Sequence, residues 1–244
     1  MNFDKPYHTG YVVLDMRKKL IRFRENTRLD NVLEPEINVS KKIDWKDVFG
    51  NSNPIILELG CGRGEYAIGL SRMSADKNFI GVDVKGDRIW YGATEAKQDD
   101  LKNVIFLRSS VDHLDKFFGK NSVDEIWITF PGPRFKNSEE NRRLTNQIFL
   151  NLYAQILKPG GVVHVKTDSN FVYKYTSYQL AQRPDATLLK VLPDLYKISV
   201  LSDDLKIKTR FEKRFLAKGE KIKYMRFSLT KKTFSSIIRS LLGV

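Results

Sequence analysis

The sequence predicts an α/β protein with a mostly parallel β-sheet, helices on both faces and an antiparallel edge near the C-terminus. Short apolar runs alternate with helix-length segments between residue 54 and about residue 183. This alternation is typical of parallel sheets whose crossover connections are helical. The chain has 244 residues, of which 41% are hydrophobic, so it is long enough to bury the core of such a domain.

The predicted elements follow one another in a regular order. Strands are expected at Ile55–Leu59, Phe79–Val82, Val104–Leu107, Val123–Phe130 and Val162–Lys166. Helices are expected at Glu65–Ser74, Asp87–Lys97, Val111–Phe118, Leu144–Leu157 and Phe171–Gln182. After residue 183 we expect a strand at Leu188–Val191, a hairpin of Thr209–Leu216 and Ile222–Leu229, and a short helix at Phe234–Leu242.

Residues 1–53 differ in composition from the rest of the chain. They are polar and strongly basic and show little periodicity, which indicates an arm laid over the domain formed by residues 54–244. The alternative is a disordered tail.

Composition narrows the class of protein. The net charge of +13 and the isoelectric point near 9.6 favour a polyanionic partner, such as nucleic acid, or an anionic membrane surface. No run approaches the ~18 apolar residues of a membrane-spanning helix, and the first ten residues lack the apolar core of a signal peptide. The single cysteine, Cys61, and three scattered histidines predict neither a disulfide nor a metal site. We therefore expect a cytoplasmic protein.

A glycine-rich turn follows the first predicted strand, in the stretch Glu58-Leu-Gly60-Cys-Gly62-Arg-Gly64. Ligands of open α/β sheets bind beyond the carboxyl ends of the strands, where glycine lets the main chain approach them closely. Asp83 ends the second predicted strand, and a carboxylate at that place can accept the hydroxyls of a ribose. Ser110 follows the third strand, where an adenine edge would lie.

The spacing of the turn distinguishes between two cofactors. A dinucleotide site requires G-x-G-x-x-G, but here the third glycine comes one residue early and Glu65 follows it. Carboxylates would repel a pyrophosphate, whereas they suit the ammonium group of a methionine moiety. The pattern therefore favours S-adenosylmethionine (SAM), and an ordinary strand–helix turn is the structural alternative.

Cationic and aromatic residues lie in the second half of the chain. Arg134, Lys136, Arg142 and Arg143 follow the fourth strand and its Pro131-Gly132-Pro133 turn. Aromatic residues alternate with basic ones from Lys206 to Phe227. Basic groups bind phosphates and aromatic faces stack on unpaired bases, so these segments indicate an RNA substrate. A solvated hairpin with an apolar inner face would show the same aromatic pattern.

Several motifs together resemble the bacterial tRNA (guanine-N7)-methyltransferases. They are Phe130-Pro-x-Pro, Lys136, Arg142-Arg-Leu-Thr145, Pro159-Gly-Gly161, Thr167-Asp168 and Thr209-x-Phe211-Glu212. The resemblance runs from about residue 58 to residue 227. It implies a Rossmann-like class I methyltransferase fold, SAM as cofactor and a guanine of the tRNA variable loop as substrate.

The resemblance also implies roles for individual residues. Cofactor contacts are implied for Glu58, Asp83 and Ser110, beside Gly60, Gly62 and Gly64 of the turn. Contacts to the guanosine are implied for Lys136, Asp168, Thr209, Arg210, Phe211 and Glu212, with Asp168 as a catalytic candidate. One position departs from the family, because Gly132 stands where its pattern has an aspartate that is catalytic or contacts the cofactor.

Guanine N7 has a free lone pair and needs no general base, so positioning alone can supply ~7–11 kcal/mol of barrier lowering. We therefore expect an active enzyme, as a monomer or homodimer. One alternative is an RNA-binding protein that is catalytically impaired by the loss of that aspartate. The others are a SAM methyltransferase acting on another RNA or a small molecule, and a small-molecule dehydrogenase of the same fold.

Overall fold

The computed structural model describes residues 9–37 and 42–229, with side chains from residue 17 onward. The strands are β1 Val32–Leu33, β2 Ile55–Leu59, β3 Asn78–Asp83, β4 Val104–Arg108, β5 Val123–Thr129, β6 Leu157–Thr167, β7 Ala186–Leu192 and β8 Lys223–Leu229. The helices are α1 Thr9–Glu25, α2 Trp45–Phe49, α3 Glu65–Met73, α4 Gly86–Gln98, α5 Leu114–Phe117, α6 Gln147–Ile156, α7 Asn170–Ala181, α8 Asp203–Lys206 and α9 Arg210–Leu216.

The strands form one sheet in the order β1-β4-β3-β2-β5-β6-β8-β7. Neighbouring strands from β1 to β6 run parallel, and β8 pairs antiparallel with both β6 and β7. The predicted parallel sheet with an antiparallel C-terminal edge is confirmed. The order reverses at β2, which has β3 on one side and β5 on the other, and a ligand crevice is expected at such a point.

Both faces of the sheet are covered by helices. Residues of β2 and β5 alternate between two apolar clusters, since Ile56 and Trp127 belong to one and Leu57 and Ile126 to the other. Helices α3 and α4 contribute to the first cluster, whereas α5, α6 and α7 contribute to the second. This double burial explains why the central strands are continuous apolar runs.

The predicted hairpin is wrong in its first half. Residues 210–216 form helix α9, and the partners of β8 are β6 and β7 instead. Thr209 begins the helix by accepting a hydrogen bond from the Glu212 amide at 3.2 Å. A threonine followed three residues later by glutamate is a helix-start signal, and here it prevails over the strand-like aromatic pattern.

The N-terminal residues contain more regular structure than their composition indicates. Helix α1 spans residues 9–25 and packs on α4, and β1 adds a parallel edge strand beside β4. Asn26 Nδ2 donates to the Gly86 carbonyl at 2.8 Å, and Asn31 Nδ2 donates to the Ala93 carbonyl at 2.9 Å. The helix predicted at Phe234–Leu242 lies outside the described residues. Among the described helices, none is long and apolar enough to cross a bilayer.

Candidate functional site: two joined cavities at the strand tips

The glycine turn connects β2 to α3 at the carboxyl edge of the sheet. Gly60, Gly62 and Gly64 have φ values of +68°, +58° and +68°, all in the left-handed region that glycine adopts without strain. The amides of Gly60 and Cys61 donate to the Val82 carbonyl at 2.8 and 3.0 Å, so the turn lies against the end of β3.

Two of these glycines meet different surroundings. A Cβ atom at Gly64 would lie 2.2 Å from Cε1 of Phe106, a fully buried ring on β4. A Cβ atom at Gly62 would meet nothing within 4 Å, because this residue borders a cavity. Gly64 is therefore required by packing, and Gly62 leaves space beside the main chain.

Asp83 anchors the turn from the tip of β3. Its Oδ2 accepts from the Gly62 amide at 2.8 Å, and its Oδ1 accepts from the Lys85 amide at 2.8 Å. Each carboxylate oxygen keeps a second lone pair, so Asp83 can still accept hydroxyl groups from a ligand.

Glu58 is buried behind the turn. Its Oε2 accepts from the Ala67 amide at 2.9 Å, and its Oε1 accepts from the Thr129 hydroxyl at 2.8 Å. Burial raises the pKa of Glu58 to about 8, although these two hydrogen bonds lower it, and nearby Glu65 and Asp83 raise it further. Glu58 is therefore mostly protonated at neutral pH, and the nearby carboxylates of Glu65 and Asp83 give the turn the negative charge that suits a positively charged ligand.

A cavity of about 390 Å³ lies beyond the tips of β2, β3 and β4. Asp83, Ser109, Ser110 and Asp112 line its polar side. The Ser110 hydroxyl bonds to the Asp112 carboxylate and begins a short 3-10 helix. Sequence reasoning did not single out Asp112; its place two residues after the serine pair was the available signal.

A second cavity of about 500 Å³ adjoins the first, between the glycine turn, the proline turn after β5, and α9. The two cavities share lining residues, namely Gly60, Asp83, Val84, Gly132, Arg134 and Leu144. The second is also lined by Thr129, Phe130, Thr209, Phe211 and Phe215. A ligand in the smaller cavity can thus face a ligand in the larger one.

The proline turn is held in an unusual backbone conformation. Phe130 and Arg134, at its two ends, have φ values of +48° and +47°, which non-glycine residues rarely adopt. The Phe130 amide donates to the Lys166 carbonyl at 2.7 Å, and Arg143 Nε donates to the Arg134 carbonyl at 3.0 Å. Gly132 lies between them, and a Cβ atom there would meet only Arg134 Nε, at 3.8 Å.

Arg143 does not have the exposed position that was expected of a phosphate-binding residue. Its side chain is buried, and its guanidinium lies 4.8 and 4.6 Å from the ring centroids of Phe171 and Tyr175. It also donates to the Lys136 carbonyl at 3.3 Å. Arg143 therefore stabilises the turn from inside.

Helix α9 supplies one wall of the larger cavity. The Arg210 amide donates to Glu65 Oε2 at 3.1 Å, which ties the start of α9 to the start of α3. Phe211 is 38% exposed at the cavity, and the ring of Phe215 lies 6.0 Å from that of Phe130. Glu212 is fully buried, with Lys166 Nζ 2.8 Å from its Oε2.

The structure separates the predicted site residues into three groups. Cavity-lining residues are Gly60, Gly62, Asp83, Ser110, Gly132, Thr209 and Phe211. Glu58, Gly64 and Glu212 lie behind the lining, while Lys136, Asp168 and Arg210 lie outside it. Asp168 follows β6 at the same edge of the sheet, where burial raises its pKa and nearby Lys223 lowers it.

The rim of the larger cavity is cationic. Arg63, Lys85, Arg88 and Arg134 line it, and Arg142 lines the smaller cavity. The first three were not assigned to an RNA-binding surface from the sequence, although each follows the end of one of the first two predicted strands within about two helical turns of chain. Because the hairpin is absent, other predicted cations are dispersed: Lys223 is buried, and Arg226 lines a separate groove with Glu125 and His164.

No metal-ligand cluster of histidine, cysteine, aspartate and glutamate occurs in the described parts of the chain. Cys61 is buried, and burial holds the pKa of its thiol well above the ordinary value, so it is a poor nucleophile.

Comparison with solved structures identifies the same architecture. The 16S rRNA methyltransferase KamB superposes with a TM-score of 0.59 at 13% identity, covering 80% of this chain and 97% of its own. The 16S rRNA (adenine(1408)-N(1))-methyltransferase from Catenulisporales acidiphilia gives a TM-score of 0.56 at 16% identity, covering 80% and 97%. A variant of the latter enzyme was solved with its cosubstrate SAM. At these identities the likeness shows a Rossmann-like class I methyltransferase fold.

Sequence comparison identifies the family. A family model described as "Putative methyltransferase" matches residues 52–225. The tRNA (guanine-N(7)-)-methyltransferase of Bacteroides thetaiotaomicron is 42% identical over 220 residues, 87% of this chain and 86% of that protein. The enzyme of the same name from Porphyromonas gingivalis is 47% identical over 184 residues, 75% and 74% of the two chains. This chain therefore belongs to the family of tRNA (guanine-N7)-methyltransferases.

Proposed function

We propose that this protein transfers a methyl group from SAM to N7 of a guanine in the variable loop of tRNA, in the cytoplasm. The observation that carries the proposal is the pair of joined cavities, one bordered by acidic strand tips and the other by aromatic side chains and a cationic rim. The relatives at 42% and 47% identity are named for this reaction, which supports the choice of substrate.

The smaller cavity fits SAM by the chemistry of its lining. Asp83 would accept the ribose hydroxyls, and Ser110 and Asp112 would bind the adenine edge. Asp83, which lines both cavities, and Glu65, which lines the larger one, add negative charge beside Gly62, so the methionine end with its positive charge would extend from the smaller cavity to the glycine turn. When bound, SAM supplies an electrophilic methyl group on a positively charged sulfur.

The larger cavity fits a guanine base turned out of the RNA. Phe130, Phe211 and Phe215 offer aromatic faces on which a purine can stack. The N7 lone pair would form the new bond to the methyl carbon, and the electron pair of the carbon–sulfur bond would remain on sulfur. No proton moves in this step, so the protein needs no general base at N7.

Gly132 occupies the junction of the two cavities and brings no functional group there. In the proposed mechanism it lets the base approach the methyl group closely. Asp168 lies at the same edge of the sheet but outside the lining of the larger cavity, and it would orient the base by accepting from the N1–H and amino groups where these project beyond that lining. Its carboxylate would also stabilise the positive charge that develops on the purine.

The rim would bind the tRNA backbone. Arg63, Lys85, Arg88 and Arg134 surround the opening through which the base enters. Lys136 and Arg210, outside the lining, would contact phosphates farther along the same strand. These contacts give affinity without reading sequence.

Nucleoside mass spectrometry after incubation with SAM tests the proposal. The substrates are two tRNA transcripts that differ only in the variable-loop guanosine, which is replaced by adenosine in the second. We expect 7-methylguanosine from the first transcript alone. Methylation at another atom, or equal methylation of both transcripts, would contradict the proposal.

The second candidate is an RNA-binding protein without transferase activity, and Gly132 is the observation that favours it. The same experiment separates the two, because this candidate predicts tight tRNA binding with no methylated nucleoside.

A further inference from the structure

Lys166 connects the two walls of the larger cavity. It lies on β6 next to the final residue of the strand, and its side chain is fully buried. Its main-chain carbonyl accepts from the Phe130 amide at 2.7 Å and so holds the beginning of the proline turn. Its side chain points to the segment that leads into α9.

The ammonium group of Lys166 has no capacity left for a ligand. Nζ donates to the Leu205 carbonyl at 3.0 Å and to the Ile207 carbonyl at 2.9 Å, and lies 2.8 Å from Glu212 Oε2. Two of its three protons are donated to these carbonyls, and the ammonium group is paired with the Glu212 carboxylate at ion-pair distance. Lys166 therefore acts on the protein and not on a substrate.

Both carboxylate oxygens of Glu212 also contact partners within the protein. Its Oε1 accepts from the Tyr196 hydroxyl at 2.6 Å, its Oε2 pairs with Lys166, and its side chain is 0% exposed. Its main-chain amide bonds to Thr209 Oγ1, so the carboxylate and the start of α9 move together. Thr209 and Phe211, which do line the cavity, lie on this same turn of helix.

We propose that the Lys166–Glu212 pair is a positioning device that fixes the separation of the Phe130 wall from the Thr209–Phe211 wall, and with it the orientation of the target base. Neither side chain contacts the base. The inference rests on the proposed function, since it assigns the larger cavity to guanine, and it replaces the expectation that Glu212 binds substrate directly.

The energetics of buried ion pairs support a geometric role. Desolvating two charges costs about as much as their attraction returns, so apolar replacement of both partners is often neutral for stability. Removal of one partner leaves a buried charge unpaired and is strongly destabilising. The pair therefore adds little to stability that apolar side chains could not supply. Its directed hydrogen bonds, from Lys166 to two main-chain carbonyls and from Tyr196 to Glu212, fix one geometry.

The key variant replaces both partners, Lys166→Met with Glu212→Met, so that no charge is left alone. We expect an unfolding midpoint near that of the parent and a SAM dissociation constant within about threefold of it, because the glycine turn is untouched. The kcat for tRNA should fall by about 100-fold with little change in KM, since displacing a reactant by ~1 Å can cost this much.

Glu212→Gln separates positioning from direct contact. This variant leaves Lys166 without its counter-charge, so it should be less stable than the parent. The amide has nearly the same shape, can accept from Lys166 and can donate to the Tyr196 hydroxyl, so the kcat of the folded variant should stay within about tenfold of the parent. Lys158→Met is the matched control, because the Lys158–Asp124 ion pair joins the other ends of β5 and β6. This variant should keep the parental kcat.

Two results would overturn the inference: parental kcat in the folded double variant, or a loss in Glu212→Gln of about 100-fold. If the double variant does not fold, Glu212→Gln decides alone by the same limits. A parent that methylates no tRNA would instead refute the proposed function, so the two failures are distinguishable.

Discussion

Alanine should lower stability more at Gly64 than at Gly62, and it should lower cofactor affinity more at Gly62 than at Gly64. The two positions lie two residues apart in the glycine turn, and both have left-handed backbones. At Gly64 the new methyl group would lie 2.2 Å from the buried Phe106 ring, whereas at Gly62 it would project into the larger cavity. The pair therefore separates the packing role of the turn from its binding role.

The magnitudes follow from these surroundings. A left-handed backbone costs an alanine about 1–2 kcal/mol, and this applies at both positions. Overpacking against Phe106 adds about 1–3 kcal/mol at Gly64 alone. If the free energy of unfolding falls by about 3 kcal/mol per molar urea, the unfolding midpoint of Gly64→Ala should lie about 0.3–1 M urea below that of Gly62→Ala.

Urea unfolding and calorimetric titration with SAM measure the two effects. We expect Gly64→Ala to lose the more stability and Gly62→Ala, once folded, to lose the more SAM affinity. Equal unfolding midpoints, or a Gly62→Ala variant that binds SAM as tightly as the parent, would refute the reasoning about the turn.

Three further predictions concern the site. A Gly132→Asp side chain has room at the junction of the two cavities. It should raise kcat on tRNA by about 10- to 100-fold, because one hydrogen bond to a charged group contributes about 1.5–3 kcal/mol. Single-turnover assays with Gly132→Asn as the control check this prediction, and an unchanged rate would contradict it. Since the pKa of Glu58 is raised to about 8 in the folded protein, its stabilising effect is present below pH 4.5 and is lost as pH rises to 8. The unfolding free energy of the parent relative to Glu58→Gln should thus fall by about 1.4 kcal/mol per pH unit between about pH 5 and 8 in urea titrations, and a flat difference would show that Glu58 is ionised throughout. Affinity for tRNA should fall about 40-fold between 50 and 200 mM salt if three phosphates are bound, as filter binding can measure; an affinity independent of salt would exclude backbone contacts by the cationic rim.

The sheet could be predicted from the sequence because its signals are local. Each central strand is an apolar run that ends in a turn residue or an acid, and the five predicted strands in residues 54–183 all occur, with ends shifted by a few residues. The β6 strand begins earlier than predicted, at Leu157, and passes through the Lys158-Pro-Gly-Gly161 turn with a register shift opposite β5.

Other features depend on contacts between distant residues. The segment Thr209-Arg-Phe-Glu212 has both a strand-like aromatic pattern and a local helix-start signal, the Thr209 cap. The buried Lys166–Glu212 pair, which also holds this segment, joins residues that are distant in the sequence. Helix α1 packs against α4, a contact that its own weak periodicity does not reveal. The cationic rim escaped prediction because Arg63 and Arg88 converge only once the strand tips are brought together.

A crystal structure with S-adenosylhomocysteine bound tests the central claim most directly. The account predicts the ribose hydroxyls at Asp83, the adenine between Ser109 and Asp112, and the sulfur facing Gly132 and the larger cavity. A nucleoside bound elsewhere, or one whose sulfur faces away from the larger cavity, would contradict it.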